Sequence, residues 1–126
     1  MNVRRVLALG VLLTALAGCV TAPPKKYDWG NYDPSLYGYY KDPTKLGELN
    51  ASLEAIIKAG EANRAVMPPG IYAEYGYLQM QQGNNAQAIE LFKQEKALWP
   101  EATVFMDRMI KVASVQTNTA TKGTSP

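Results

Sequence analysis

The chain has 126 residues, an ordinary apolar content and a formal charge of +2, the size of one domain. Two of its 13 basic residues, Arg4 and Arg5, stand at the very start, and those that remain equal the 11 acidic ones, so the body of the chain lacks the basic footprint of a duplex-DNA binder or of a polybasic grip on lipid headgroups. There is no histidine and a single cysteine, Cys19, which excludes an intrachain disulfide, a histidine general base, and any Ser-His or Cys-His pair.

Residues 1–18 carry a positive start at Arg4 and Arg5, an apolar run from Val6 to Leu16, and small residues at Ala17 and Gly18. The apolar run is too short for a spanning helix, which needs about 20 residues; its three-part layout predicts a secretory signal peptide. The ending Leu16-Ala17-Gly18-Cys19 resembles the lipobox of bacterial lipoproteins. That resemblance implies cleavage between Gly18 and Cys19, a diacylglycerol on the thiol and an acyl chain such as palmitate on the new amine. Two or three chains hold firmly where one holds only marginally, so Cys19 is expected to be an anchor and not a nucleophile. Val20 stands where an aspartate resembles an inner-membrane retention signal, which tilts the expected address to the outer membrane of a Gram-negative envelope, with the domain facing the periplasm. Within 19–26, Pro23 and Pro24 make a stiff, solvated tether.

In the segment 27–44, six aromatics (Tyr27, Trp29, Tyr32, Tyr37, Tyr39 and Tyr40) fall within fourteen residues, punctuated by Gly30, Pro34 and Gly38. Neither a helical nor a strand period is evident, so an irregular segment is predicted. Its rings either lie across the helices that follow or form a docking surface, with Trp29 and Tyr37 as candidate contacts.

The helical domain is expected over 45–113. Asp42 or Thr44 is a plausible N-cap for a first helix over 45–62, in which Leu46, Leu49, Leu53, Ile56 and Ile57 recur at spacings of three and four. Met67-Pro68-Pro69-Gly70 ends it. A second helix runs from Ile71 to Gln82, Gly83-Asn84-Asn85 is a stop and restart, and a third helix runs from Ala86 to Leu98. Pro100 is well placed to open a fourth, with Phe105, Met106, Met109, Ile110 and Ala113 on one side. Residues 114–126 are Thr-, Asn- and Ser-rich with little apolar content, and are predicted to be a disordered tail.

Helix, Gly-Asn turn, helix and proline between Pro69 and Ala102 resemble one tetratricopeptide repeat. Tyr72 takes the first aromatic place, Gly76 and Ala88 the small contacts between helices, Gly83 the turn, Phe92 the packing aromatic and Pro100 the end of the unit. Tyr75, Gln79 and Glu95 depart from the pattern, standing where leucine, tyrosine and alanine are usual. One repeat cannot bury its own apolar face, so the flanking helices are expected to cover it. The predicted fold is all-α: a short helical-hairpin array of about four helices. In such arrays the first helix of each pair lines a concave groove. That places Ala73, Tyr77, Met80 and Gln81 there, continued by Asp107 and Lys111, with Tyr77, Met80 and Gln81 as candidate partner contacts. The aromatic segment either fills this groove or leaves it open.

The whole order resembles the domain-of-unknown-function 4810 family of small proteobacterial lipoproteins. It comprises the lipobox, Tyr27-Asp28-Trp29-Gly30-Asn31-Tyr32, Leu36-Tyr37-Gly38-Tyr39-Tyr40-Lys41, and one repeat. Members are often encoded beside a lipoprotein similar to the curli secretion channel, which implies a joint envelope assembly. The expected function is an outer-membrane-anchored interaction or assembly subunit working with other envelope lipoproteins; the alternative is a binder or regulator of a periplasmic cell-wall enzyme. No catalytic residue, metal site, cofactor, nucleic acid or small-molecule substrate is expected: the glycines form no phosphate-cradling loop, and Asp28, Asp33 and Asp42 have no cation-binding spacing.

Overall fold

The structure, a computed structural model, describes residues 25–122, with side chains through Thr117. The predicted signal peptide, Gly18, Cys19 and the tether up to Pro24 lie outside the described residues. Among the described residues five α-helices follow one another: α1 (Tyr32–Lys41), α2 (Leu46–Asn63), α3 (Ile71–Gln81), α4 (Asn85–Leu98) and α5 (Thr103–Lys122), with single 3-10 turns at Pro43–Lys45 and Pro100–Ala102. The described residues contain no strand. Each helix packs on the next in the chain, most extensively α3 on α4 and α4 on α5. Connections this short between packed neighbours force an up-and-down order.

The aromatic segment is not irregular throughout, and this corrects the sequence-based expectation. Tyr32, Leu36 and Tyr39, at spacings of four and three, form the apolar stripe of α1 and pack on the core beneath. Pro34 sits in the first turn, where no intrahelical bond to its missing N–H is required, so Asp33-Pro34 belongs to a helix start and not to a free-standing turn. Ser35, buried inside this short helix, donates to the carbonyl of Tyr32 at 2.8 Å. The helix ends at Asp42, whose extended backbone is the geometry that a following proline imposes. Asp42 then accepts from the Thr44 N–H at 3.0 Å and from its hydroxyl at 2.7 Å, capping the turn that leads into α2. These bonds hold the Asp42 carboxyl below its usual range.

The core has two parts. The first gathers Leu49, Leu53, Ile56 and Ile57 of α2 with Met67, Ile71, Tyr72, Tyr75, Leu78 and Leu91, roofed by Tyr32, Leu36 and Tyr39. The second gathers Ala88 and Phe92 of α4 with Met106 and Ala113 of α5. Rings tie the start of the described chain to the far end of α4. Tyr27 meets Trp99 edge-on at 6.1 Å and Trp29 at 6.2 Å, and Trp29 leans on Tyr32 at 5.8 Å.

The C-terminal residues give a second correction. α5 does not stop at Ala113 but continues to Lys122, leaving 123–126 outside the described residues. No glycine or proline interrupts 103–122, and once a helix is nucleated each further residue costs little. Ser114 and Thr117 turn their hydroxyls back onto the carbonyls of Ile110 and Ala113, at 2.7 and 3.0 Å, so these polar residues are accommodated on the helix instead of ending it.

Candidate functional site

The α3–α4 hairpin positions everything else. Gly76 of α3 faces Phe92 of α4 so closely that a Cβ on it would lie 2.8 Å from the Phe92 ring. Only a glycine lets these two helices approach so far, and Phe92 fills the gap with no exposed surface. Tyr72 and Ala88 are buried on the same hairpin, Tyr72 in the first core and Ala88 in the second. The Tyr72 hydroxyl donates to Glu61 at 2.9 Å, and burial together with that bond pushes its pKa up to about 12. Pro100 opens the 3-10 turn before α5.

Two of the positions that depart from the repeat pattern are sites of buried polar contact. Gln79 is buried; its side chain accepts from Asn84 Nδ2 at 2.8 Å, and its carbonyl accepts from the Asn84 N–H at 2.9 Å. Together they clamp the turn, where Gly83 adopts a φ of 83°. Glu95 is only 3% exposed. Its carboxylate reaches across the hairpin to accept from the N–H of Gly70 at 2.7 Å and of Ala73 at 3.3 Å. Those are orphan donors at the start of α3, and the helix dipole there favours a negative charge. Burial still raises the Glu95 pKa against the backbone bonds, aided by the nearby Glu101. This long-range cap was missed because its signal, an acidic residue on the inner face of an amphipathic helix, reads in sequence as a flaw in a repeat.

A concavity of about 390 Å³ opens between α3 and α5. Ala73, Glu74 and Tyr77 line it from α3, Phe105, Met106 and Met109 from α5, and Phe92 reaches it from α4. Tyr77 is 43% exposed and Phe105 60%. No residue of the aromatic segment lines the concavity; of the two alternatives left by the sequence, the open groove is the one observed. Glu74 is half-buried here and, among the described residues, accepts no hydrogen bond and makes no ion pair; burial alone raises its pKa. A second concavity, about 420 Å³, lies between the end of α2, the segment 64–67, Tyr72 and the Leu98–Trp99 end of α4.

The structure separates the residues expected to contact partners. Tyr77 lines the groove. Met80 is half-buried against the second core, and Gln81 is exposed at the end of α3 without lining the groove. Asp107 is drawn sideways into an ion pair with Lys96 of α4, and neither it nor Lys111 lines the groove; Phe105 and Met109 take that place. Tyr37 lies on another helix, 62% exposed, with Lys41 Nζ 4.7 Å from its ring centre. Trp29 belongs to the ring string described above. Among the described residues, no three of His, Cys, Asp and Glu converge on one point, and no helix is long and apolar enough to cross a membrane.

The sequence profile described as Domain of unknown function (DUF4810) matches residues 26–109. The chain belongs to this family. The matched stretch starts just before Tyr27 and ends at Met109, so it takes in the ring string, the α3–α4 hairpin and both walls of the groove. No curated protein and no solved structure matches the chain.

Proposed function

We propose that this member of the family is a lipid-anchored assembly subunit of an outer-membrane complex, using the α3–α5 groove to hold a neighbouring envelope lipoprotein. The observation that carries the reading is the groove itself: Tyr77 and Phe105 exposed and Met109 half-buried, beside the Glu74 carboxylate, which has no partner among the described residues. Accessible aromatics and methionine suit protein recognition. The signal-peptide layout and the Leu16-Ala17-Gly18-Cys19 ending support a membrane address for the same chain. The tetratricopeptide-like order of Tyr72, Gly76, Gly83, Ala88, Phe92 and Pro100 supports a binding scaffold without chemistry of its own. Anchoring raises the effective concentration of co-anchored partners, so even a modest groove suffices for assembly. A lipoprotein similar to the curli secretion channel is the partner to seek first.

The test is in-cell crosslinking from a photoreactive residue at position 77 or 105, with the captured protein identified by mass spectrometry. Capture of an envelope lipoprotein from both positions, reduced by Glu74→Lys, is the expected outcome. Recovery of the uncrosslinked monomer from both positions would overturn the groove as the partner site, and capture of a cell-wall synthase or hydrolase would replace the assembly reading with a regulatory one.

A further inference from the structure

The residues that follow the anchor directly are the ones whose exposed chemistry fits a membrane surface. Only six residues, 19–24, separate Lys25 from the anchoring sulfur and include it, a reach of at most about 20 Å fully extended. Beyond them lie Lys25 and Lys26, both exposed, then Tyr27 and Trp29, then α1. The stripe Tyr32-Leu36-Tyr39 of α1 is committed to the core. Its outer side shows Tyr37, at 62% exposure, and Tyr40, at 74%, three positions apart on a helix only about 15 Å long. Two lysines in this segment lie over tyrosine rings: Lys26 at 5.1 Å from the ring centre of Tyr27, and Lys41 at 4.7 Å from that of Tyr37. A tyrosine ring topped by an ammonium has an apolar body and a polar tip, the combination that settles between acyl chains and headgroups. Lys25, Lys26, Lys41 and Lys45 alternate with Asp28, Asp33 and Asp42, so the segment has little net charge and suits the interface itself more than an anionic surface.

We infer that the outer face of α1, with Tyr37, Tyr40 and Lys41, together with Lys26 and Trp29 ahead of it, rests in the phospholipid headgroup layer and sets the orientation of the domain on the membrane. This rests on Cys19 being the anchor. The aromatic face does not supply the affinity, which the acyl chains provide; it removes the freedom of a domain swinging on a short tether.

The test uses the mature lipidated protein carrying Trp99→Phe, which leaves Trp29 as the single tryptophan, in vesicles of phosphatidylethanolamine and phosphatidylglycerol with and without brominated acyl chains. Mass spectrometry of the Cys19 peptide comes first. With the acyl mass present, Trp29 emission shifts to the blue and is quenched by bromines placed near the headgroups, and salt well above the physiological range leaves the quenching in place. Tyr37→Ser with Tyr40→Ser loses the quenching while far-ultraviolet circular dichroism is unchanged. Emission equal in brominated and ordinary vesicles overturns the contact and leaves the anchor standing. Quenching that survives the double substitution, or that salt abolishes, overturns the aromatic face as its cause. Absence of the acyl mass removes the premise, and the spectrum identifies the anchor as what failed.

Discussion

Glu74 stands in the first turn of α3, Glu95 reaches that same turn from α4, and the protein treats them in opposite ways. Glu95 comes from α4, is all but sealed from solvent, and has backbone N–H groups of Gly70 and Ala73 to accept from. Glu74 stands on α3, is half-buried in an apolar groove, and has no partner among the described residues. Burial raises both pKa values, but only one carboxylate is compensated by bonds that the fold needs. A buried charge with its hydrogen bonds made is a structural part; one left without them persists at the expense of stability, and its place in an accessible groove points to use outside the fold.

The largest effect tests the frame on which both glutamates sit. Phe92→Ala removes the ring that fills the space above Gly76 and also touches the second core. It should cost about 3–5 kcal/mol, read as a fall in the denaturant midpoint. A loss below about 1 kcal/mol would mean that the hairpin does not depend on this contact. Next comes the comparison itself. Glu95→Ala takes the carboxylate acceptor from the part-buried N–H groups of Gly70 and Ala73 and should cost about 1–3 kcal/mol, whereas Glu74→Ala should fall within about 0.5 kcal/mol of the parent. Equal losses would erase the distinction between the two sites.

The smallest effect is the pH dependence, which sharpens the comparison. In the unfolded chain both glutamates release their protons near the ordinary value of 4.5, while the folded chain holds them to higher pH. Across that window the folded state binds more protons, so stability is full below 4.5 and declines as pH rises through the raised folded values. Asp42, held below 3.8 by Thr44, acts with the opposite sign and only under more acidic conditions. Urea melts across the acidic range should show the decline, and Glu74→Gln and Glu95→Gln should each flatten part of it. A parent curve that rises between pH 4.5 and neutrality would contradict both shifts.

Much of the helical layout was legible in the sequence, because apolar spacing and backbone-restricting residues act locally. The stripe from Leu46 to Ile57 gave α2, Gly83 and Asn84 gave the turn between α3 and α4, and Pro100 gave the start of the last turn and helix. Both ends were misread for local reasons. Asp33-Pro34 and the clustered glycines hid the Tyr32-Leu36-Tyr39 stripe, and low apolar content from Ser114 onward suggested disorder where an existing helix simply propagates. Of the groove, Tyr77 was placed correctly, while Asp107 and Lys111 were assigned to a wall that Phe105 and Met109 occupy. The rotation of α5 is set by Met106 and Ala113 seating against α4 and by Asp107 pairing with Lys96, contacts that spacing along one helix cannot reveal.

The sequence by itself determined α2, α3, α4 and the start of α5, where the α3–α4 hairpin turns and which residues seal it, since these follow from backbone restriction and the period of apolar side chains. Only the tertiary structure decided that Glu95 caps a helix start 22 to 25 residues away in sequence, that Glu74 has no partner among the described residues, and that the aromatic segment does not line the groove. Those outcomes depend on how whole helices lie against one another, and the free energy of a buried charge is fixed by whatever donors that arrangement happens to bring within reach.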